Sequence, residues 1–504
     1  MPAKTQPARG MRDFLPADLR RREHVIRVIR DVYERYGFEP LETPAVENIE
    51  TLLGKYGEEG NQLIFKILKR GEHEKTGEAD LALRYDLTVP LARVVAEYGE
   101  KLPRFFKRYQ IQPVWRADRP ARGRFREFYQ CDVDCIGTRS PVVEAEICAA
   151  ASEVLRTLGF DNFTIRLNHR QVLAGVLEAA RIAADKHGEA LVAIDKLDKI
   201  GREGVAREFE ARGIAAESGE QLLGLFEKLP ELERAAEFVA GGDGVAEVSK
   251  AVAYNHAALG RLVEFVGGHD AGALGIENLR QIVEYAESYG VADKIKIDPS
   301  LARGLSYYTG AIMEISVPDL AGSLGGGGRY DNLVGMFSGK DIPACGFSLG
   351  LERIIVVMTE HNMFPLDFEK APADVMITML DEASIPYSLS LARELRDSGL
   401  RVEVYPEPTR KLAKQLFYAD ARDYAFAAII GESEREGGMV TVRDMKTRKQ
   451  DSLPRENVAT IILEEIRERK KRKAEERAKF AAIIERERAK RSDNVLNKEN
   501  PDET

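Results

Sequence analysis

The sequence changes its hydrophobic pattern three times, and this succession constrains the fold more than any other feature. Up to about residue 165, short segments that alternate apolar and polar residues are typical of strands in an antiparallel sheet. From about 170 to 290 this pattern disappears, and segments rich in Ala, Glu, Leu and Lys indicate helices. Glycine-rich, strand-like sequence returns at about 296 and continues to about 360. We therefore predict that the chain leaves one domain, forms a helical region and then returns to that domain.

The C-terminal part is organised differently. From Ala373 onward, strand-like and helix-like segments alternate, which predicts a small α/β domain. Beyond about residue 459, the segment "EEIRERKKRKAEERAKFAAIIERERAKR" places opposite charges four residues apart, as at Glu465 and Arg469 or Glu475 and Lys479. Such spacing is compatible with a solvated helix. A basic arm that touches RNA is the alternative interpretation of this tail.

Composition narrows the class of protein. The chain has 504 residues, too many for one ordinary domain, and its 44% hydrophobic content suffices for packed cores. It contains no run of about 18 apolar residues, so no membrane span is expected. The start, "MPAKTQPARGMRDFLP", lacks the apolar core of a signal peptide and reads as a polar lead-in. A cytoplasmic protein is therefore expected.

The net charge and the cysteines argue against two further classes. A formal net charge of −9 does not suit a general nucleic-acid coat protein, although it leaves room for a local basic surface. Cys131 and Cys135 have C-x3-C spacing, but no nearby histidine or second cysteine pair completes a zinc site. We therefore expect no metal site, and thiols that are reduced and partly buried.

Residues 114–134, "VWRADRPARGRFREFYQCDVD", join a basic loop to a polar strand. The loop carries the arginines Arg116, Arg119, Arg122, Arg124 and Arg126. Guanidinium groups match phosphate oxygens, so a phosphate site is one interpretation and a solvated basic hairpin is the other. On the returning strand Gln130, Asp132 and Asp134 alternate and therefore share one face. A face of this kind, turned inward, points to a polar pocket.

Two shorter stretches carry further polar groups at close spacing. In "LRYDLTVPLARVVAEY", Asp86 and Thr88 precede a helix-opening proline. They either cap that helix or offer a carboxylate and a hydroxyl to a ligand ammonium. In "LARGLSYYTG", Arg303 precedes Tyr307 and Tyr308 within six residues. These three residues belong either to a strand edge or to the lining of a pocket for a small polar molecule.

The stretch 323–354, "SLGGGGRYDNLVGMFSGKDIPACGFSLGLERI", contains a glycine run that invites comparison with nucleotide-binding loops. The G-x4-G-K-S/T spacing is absent, because Gly335 to Gly339 is one residue short and Asp341 follows Lys340. No G-x-G-x-x-G register exists either. The run is better explained by a backbone that must approach a ligand closely. "GFSLGLERI" predicts a strand that passes into a helix with Arg353 near its start.

Taken together and in this order, these stretches resemble the histidyl-tRNA synthetases among the class II aminoacyl-tRNA synthetases. "FKRYQIQPVWRADRPARGRFREFYQCDVD" resembles motif 2 of that class, and "GFSLGLERI" resembles motif 3. "LARGLSYYTG" and "SLGGGGRYDNL" resemble the two signatures of its histidine-specific members. The similarity spans about residues 9 to 455 and leaves only the charged tail outside.

The resemblance implies an α+β fold. Its elements would be a six-stranded antiparallel class II sheet flanked by helices, a helical insertion and a C-terminal α/β anticodon-binding domain. The predicted limits are 1–169 and 296–366 for the two parts of the catalytic domain, 170–295 for the mostly helical insertion, 373–458 for the anticodon-binding domain and 459–504 for a charged tail that is helical or disordered.

The resemblance also implies which residues bind substrates. Histidine would be bound by Asp86, Thr88, Arg116, Gln130, Asp134, Arg303, Tyr307 and Tyr308, and ATP by Arg116, Asp118, Arg124, Phe125 and Arg353. Asp86 and Thr88 would meet the α-amino group of histidine, and Gln130 its amino or carboxylate end. Asp134 and Tyr307 would meet the imidazole, and Tyr308 would complete the pocket.

Arg116 and Arg303 are the implied catalytic residues. Arg116 would bridge the α-phosphate of ATP and the histidine carboxylate, while Arg303 would take the place of a metal ion on the opposite side. Arg124 and Arg353 would contact the outer phosphates. Phe125 would stack on adenine, and Asp118 would be an acidic contact to the nucleotide. The chain departs from the family pattern at Ser306, where Asp is usual, so no carboxylate is available at that position.

The implied activity is histidine–tRNA ligation. L-Histidine and ATP would form histidyl-adenylate and pyrophosphate, and histidine would then pass to the 3′ end of its cognate tRNA. ATP is a substrate, Mg²⁺ is expected with it, and the family forms homodimers. The motifs contain many arginines and no Ser–His or Cys–His pair. This fits a displacement at phosphorus that needs positioning and charge neutralisation.

Two other functions fit parts of the sequence. A catalytically silent paralogue that senses histidine and regulates the first enzyme of histidine biosynthesis would share the catalytic fold but lack the anticodon-binding domain. The chain has the α/β region and keeps Arg116, Arg303 and Arg353, which favours the ligase. A nonspecific RNA-binding protein fits the negative net charge poorly.

Overall fold

The computed structural model describes residues 5–71, 76–240, 249–302, 307–318, 320, 322–365, 371–472, 475–476 and 479. The chain divides into two compact units, Met1–Pro365 and Leu366–Thr504, and each is described by itself. No helix of the described residues is both long enough and apolar enough to cross a membrane.

The described strands of the first unit are β1 (Glu39–Pro40), β2 (Val46–Asn48), β3 (Lys66–Leu68), β4 (Ala79–Leu83), β5 (Phe106–Trp115), β6 (Glu127–Ile136), β7 (Thr164–His169), β8 (Ile295–Ile297), β9 (Ala311–Ser316), β10 (Ser323–Arg329) and β11 (Ala344–Gly350). Its described helices are α1 (Pro16–Arg35), α2 (Ile49–Leu52), α3 (Gly57–Gln62), α4 (Thr88–Tyr98), α5 (Val142–Thr157), α6 (Arg170–Ala179), α7 (His187–Ile194), α8 (Leu197–Ala211), α9 (Ala216–Glu227), α10 (Leu229–Ala240), α11 (Lys250–Val266), α12 (Asp270–Ser288), α13 (Gly335–Ser338) and α14 (Leu351–Glu360).

A large sheet with the order β1-β5-β6-β11-β10-β9-β7-β8 forms the centre of the first unit. The six strands from β5 to β7 in this order pair antiparallel, which confirms the predicted six-stranded antiparallel sheet. The short strands β1 and β8 extend the two edges in parallel, an addition that the sequence did not predict. Strands β2, β4 and β3 form a separate antiparallel sheet.

Helices α1 and α5 cover one side of the large sheet. The apolar residues Val25, Ile29 and Val32 of α1 are fully buried, as their helical spacing predicts. The helix ends just before Gly37, whose φ of +76° favours glycine. Residues of α5 join the same core together with apolar residues of β6 and β7. The sheet is therefore held from one side by a continuous apolar layer.

The helices α6 to α12 leave the sheet after β7 and return to it at β8. These two strands are neighbours and pair in parallel, with Ile165 opposite Ile295 and Leu167 opposite Ile297. Asn255 of α11 fixes the junction by donating to Ile295 O (2.9 Å) and accepting from Ile297 N (2.9 Å). The helices α6 to α12 thus leave the large sheet and rejoin it at two neighbouring strands.

The second unit contains its own sheet, with the order β13-β12-β14-β15-β16. Its strands are β12 (Val375–Ile377), β13 (Val402–Val404), β14 (Phe426–Ile429), β15 (Met439–Asp444) and β16 (Gln450–Pro454), and its helices are α15 (Ile385–Asp397), α16 (Leu412–Ala421) and α17 (Glu432–Gly437). Strand β12 pairs in parallel with both β13 and β14, as expected for strands that alternate with helices.

A last helix covers residues 458–472. Val458 and Ile462 are buried in the core of the second unit, so the predicted boundary at 458/459 falls inside a packed helix. Arg469 donates to Glu465 Oε1 (2.9 Å) at the predicted four-residue spacing, and also to Asp444 Oδ2 (2.5 Å). Most of the charged tail beyond residue 472 lies outside the described residues.

Candidate active site

Three neighbouring strands present a polar face at the centre of the large sheet. On β5 and β6 the paired residues are Arg108 with Asp134, Gln110 with Asp132 and Gln112 with Gln130. On the other side of β6, strand β11 places Gly346, Ser348 and Gly350 opposite the same three positions. The polar alternation of Gln130, Asp132 and Asp134 does form one face, as the sequence predicts.

This face forms part of the wall of a cavity of about 890 Å³. All the sequence-predicted site residues that the structure describes line it: Asp86, Thr88, Arg116, Asp118, Arg124, Phe125, Gln130, Asp134, Tyr307, Tyr308 and Arg353. Arg303 and Ser306 lie outside the described residues. Segments separated by more than 250 residues in the sequence are therefore brought together around one space.

Asp134 is held by two buried partners. Arg108 is fully buried and its Nη2 lies 2.8 Å from Asp134 Oδ2 and 3.7 Å from Asp132 Oδ2. The hydroxyl of Tyr330 donates to Asp134 Oδ1. Burial raises the pKa of Asp132 to about 7 and also raises the pKa of Asp134, while Arg108 opposes both shifts. Because Arg108 is closer to Asp134 than to Asp132, its positive charge favours the ionised form of Asp134 more strongly.

Gly346 provides the space that Asp134 occupies. A Cβ atom at this position would lie 1.8 Å from Asp134 Oδ1, so any other residue would displace the carboxylate. Gly327 has an equivalent role between strands, because a Cβ atom there would lie 2.2 Å from Gly346 O. The glycine run is therefore the strand β10 rather than a loop, and Gly325, Gly326 and Gly327 line the cavity.

Asp86 accepts hydrogen bonds from three groups. Its Oδ1 accepts from the Tyr56 hydroxyl (2.9 Å) and from Val89 N (3.0 Å) in the first turn of α4, and its Oδ2 accepts from the Tyr307 hydroxyl (3.1 Å). The carboxylate therefore caps the helix and lines the cavity at the same time, so the two interpretations of the sequence are compatible. Burial raises the pKa of Asp86, and the hydrogen bonds and nearby Arg116 oppose this shift.

Three of the aromatic residues that line the cavity are the tyrosines Tyr307, Tyr308 and Tyr330. The Tyr307 ring lies edge-on to Tyr308, with centroids 5.1 Å apart, and to Tyr330, with centroids 5.9 Å apart. Tyr307 and Tyr330 approach different carboxylates, Asp86 and Asp134. This part of the cavity therefore presents two separate carboxylates, each in contact with a tyrosine.

Gln130 has one hydrogen-bonding group that the protein satisfies and one that it does not. Its Nε2 donates to Ser348 Oγ (2.9 Å). Its Oε1 is buried and has no hydrogen-bond partner among the described residues. A buried acceptor without a partner is costly, so this oxygen is suited to a donor on a ligand.

The arginines occupy the other part of the cavity. Arg116 is oriented by a hydrogen bond from Nε to Tyr85 O (3.0 Å), and its guanidinium lies 4.3 Å from the Tyr85 ring centroid. Arg124 Nη2 donates to Asp118 Oδ1 (2.8 Å), and Arg353 donates to Ser323 O. Guanidinium groups that converge on one cavity are suited to phosphate oxygens.

Sequence reasoning missed Arg108, Tyr330 and Tyr56 and gave Asp132 no role. Arg108 was detectable, because the polar residues Arg108, Gln110 and Gln112 alternate along β5 as residues 130, 132 and 134 do along β6. Tyr330 follows a glycine run and Tyr56 follows a short loop. Neither segment has a periodic pattern that would indicate where its tyrosine points.

Among the residues that the structure describes, the cysteines and the carboxylates give no indication of a protein-bound metal. Cys131, Cys135, Cys148 and Cys345 are free thiols and all are buried. Within the described ranges, no group of three His, Cys, Asp or Glu side chains could hold a metal ion.

The fold and the cavity define a class of enzyme. An antiparallel sheet carries a strand–loop–strand with inward arginines, followed later by a glycine-bearing strand and a helix with Arg353 in its first turn. This combination characterises the class II aminoacyl-tRNA synthetases. The family model described as "Histidyl-tRNA synthetase" matches residues 10–354, and the model "Anticodon binding domain" matches residues 374–465. The chain belongs to the histidyl-tRNA synthetase family.

Curated relatives agree with this assignment. A histidine–tRNA ligase of Gloeobacter violaceus is 41% identical over 482 residues, which cover 91% of this chain and 98% of the relative. Another, of Porphyromonas gingivalis, is 41% identical over 471 residues, which cover 90% of this chain and 98% of the relative. The family uses ATP as a substrate, and the match to an anticodon-binding domain argues against the regulatory paralogue.

Solved structures show the same fold. Histidyl-tRNA synthetase from Nostoc sp. has a TM-score of 0.72 and 30% identity, and the match covers 92% of this chain and all of the Nostoc chain. The apo histidyl-tRNA synthetase of S. aureus has a TM-score of 0.62 at 20% identity, covers 91% of this chain, and supports the fold alone.

Proposed function

We propose that the cavity activates L-histidine with ATP and then transfers histidine to its cognate tRNA. The observation that carries this proposal is the convergence of all the described predicted residues on one cavity with two distinct ends. One end combines buried carboxylates and tyrosines, and the other combines arginines. These ends suit an amino acid with a polar ring and a triphosphate, respectively.

At the acidic end, we assign the imidazole of histidine to Asp134 and the α-amino group to Asp86, Thr88 and Gln130. Asp134 can accept from an imidazole N–H, and the buried Arg108 guanidinium, 2.8 Å away, favours the negative charge of this carboxylate. The Gln130 Oε1 can accept from the ammonium group. A neutral imidazole offers one donor and one acceptor, so a site that pairs both rejects amino acids that leave these groups unpaired.

At the basic end, Arg116 would hold the α-phosphate and the attacking carboxylate, and Arg124 and Arg353 the outer phosphates. Phe125 would stack on adenine and Asp118 would orient Arg124. Mg²⁺ would enter with ATP as part of the substrate, because this ion is commonly held by substrate phosphates with few protein ligands. We assign Arg303 to the α-phosphate on the basis of the sequence resemblance.

The chemistry would proceed in two balanced steps. A carboxylate oxygen of histidine attacks the α-phosphorus, the bond to the bridging oxygen breaks, and pyrophosphate leaves with the electron pair. A terminal ribose hydroxyl of the tRNA then attacks the acyl carbon, and AMP leaves. The protein would contribute positioning and fixed positive charge rather than a covalent intermediate. We further propose that the enzyme works as a homodimer in the cytoplasm.

Amino-acid-dependent exchange of pyrophosphate into ATP tests the proposed function. Histidine is expected to support exchange, and other amino acids are expected to support it less well by roughly 10⁴–10⁵-fold. Exchange that is independent of histidine would contradict the proposal. Absence of exchange from a folded protein that binds histidine would also contradict it and would favour a sensor.

Replacing Asp134 with Asn tests the imidazole end. The change is expected to raise the KM for histidine by roughly 10-fold or more and to change the KM for ATP little. The amide places an N–H where the carboxylate had an acceptor oxygen, and a buried donor without a partner costs about 1–3 kcal/mol. Steady-state exchange kinetics with each substrate varied measure both constants. Asp341→Asn is the matched control because it removes an exposed carboxylate that pairs with Arg139. Equal losses for both substrates would indicate that Asp134 only stabilises the sheet.

A further inference from the structure

The segment that precedes α1 contacts the loop between β5 and β6, here called the arginine loop (residues 116–126). Gly10 O accepts a hydrogen bond from Arg126 N (2.8 Å), and Arg126 O in turn accepts from Arg116 N (2.9 Å). Gly10 has φ = +84°, and a Cβ atom there would lie 2.8 Å from Arg126 Cγ. Both the conformation and the close approach require glycine, so the segment is built to fit this loop.

Arg12 of the same segment lies on the ring of Phe125. Its guanidinium carbon is 3.4 Å from the Phe125 ring centroid and 5.0 Å from that of Phe14. Phe125 lines the cavity, whereas Arg12 is not among the residues that line it. Arg12 therefore covers one face of a ring that itself lines the cavity. A guanidinium stacked on an aromatic face is an attractive cation–π contact.

Helix α1 contacts the first turn of α14, which carries Arg353. Arg22 Nη1 donates to Glu352 Oε1 (2.7 Å), and both side chains are buried. Glu352 Oε2 accepts from Tyr129 N (2.9 Å) on β6. Because Glu352 adjoins Arg353, this contact holds the first turn of α14 against β6. The N-terminal segment thus contacts the arginine loop, and α1 contacts α14. These two elements carry the predicted nucleotide-binding residues.

We propose that residues 8–14 form an N-terminal brace for the nucleotide site and that Arg12 is a positioning residue for adenine. Arg12 acts through Phe125: it holds the ring so that the opposite face meets the base. This inference rests on the proposed role of Phe125 as the adenine platform. It assigns a function to a part of the sequence that otherwise reads as a polar lead-in.

Kinetic constants of single and double variants test the brace in the full-length protein. Arg12→Ala is expected to raise the KM for ATP about three- to five-fold, as loss of one cation–π contact predicts, and to leave the KM for histidine unchanged. Arg12→Lys keeps the charge but loses the planar group, so it is expected to restore the KM for ATP only in part. Arg9→Ala, which removes an exposed arginine of the same segment, is the matched control.

A double-variant cycle with Phe125→Ala separates the brace from the proposed platform. If Arg12 acts through Phe125, Arg12→Ala has no further effect on the KM for ATP once Phe125 is removed. The brace would be overturned, and the platform left in place, by any of three results. Arg12→Ala could change the KM for ATP equally with and without Phe125, could leave this KM unchanged, or could lower it. An unchanged KM in Phe125→Ala alone would instead overturn the platform, and the brace with it.

Discussion

Replacing Arg116 with Ala is expected to lower the rate of adenylate formation by about 10²–10³-fold, the effect of losing one preorganised donor at a developing charge. The structure fixes this guanidinium before substrate arrives. Its Nε donates to Tyr85 O (3.0 Å), and it lies 4.3 Å from the Tyr85 ring centroid and 5.2 Å from that of Phe128. The bond uses Nε, so the terminal nitrogens can donate to phosphate and carboxylate oxygens.

Rapid-quench measurement of adenylate formation distinguishes this role from a structural one. Interactions that strengthen in the transition state change the rate rather than ground-state affinity, so the Kd for histidine is expected to change little. Arg116→Lys is expected to recover only part of the rate, because a lysine cannot form the paired hydrogen bonds of a guanidinium. Arg119→Ala removes an exposed arginine of the same loop and serves as the control. A normal rate in folded Arg116→Ala enzyme would exclude a catalytic role.

Removal of residues 366–504 is expected to separate activation from tRNA charging. The described site residues all lie before residue 354, and the first unit has apolar cores of its own. The truncated protein should therefore retain pyrophosphate exchange within a few-fold. Charging of tRNA should fall by about 10²-fold or more, because each recognised base that loses its stacking partner costs roughly 1–3 kcal/mol.

Aminoacylation and pyrophosphate exchange, measured on the same truncated preparation, decide this prediction. Thermal unfolding confirms that the remaining unit is folded. Charging at near-normal efficiency would mean that the matched anticodon-binding domain contributes little to recognition of tRNA. Loss of both activities in a folded preparation would mean that activation itself depends on the second unit.

The elements predicted best from the sequence are those in which apolar and polar residues repeat regularly over many positions. Strands β5 and β6 are ten residues each, and their alternation correctly predicts a polar face that contains Gln130 and Asp134. Strands β1 and β8 have two and three residues, too few for any period to be visible. The large sheet therefore has two more strands than the six that the sequence predicts.

The residues that sequence reasoning missed depend on long-range contacts. A fully buried arginine such as Arg108 is rare, so its sequence context reads as exposed until Asp134 is seen opposite it. Tyr330 is almost 200 positions from its partner Asp134, and Gly10 is more than 100 positions from Arg126. No local pattern encodes such pairs. The resemblance to a known family pointed to eleven of the residues that line the cavity, because such a resemblance does not depend on local periodicity.

A crystal structure of the protein with histidine and a non-hydrolysable ATP analogue would show directly whether both substrates bind as proposed. The imidazole is expected within hydrogen-bond distance of Asp134, the ammonium group near Asp86 and Gln130 Oε1, and the α-phosphate at the guanidinium of Arg116. Adenine is expected on the Phe125 face opposite Arg12. Histidine bound in the reverse orientation, with its carboxylate toward Asp134, or bound outside this cavity, would contradict the proposed binding mode.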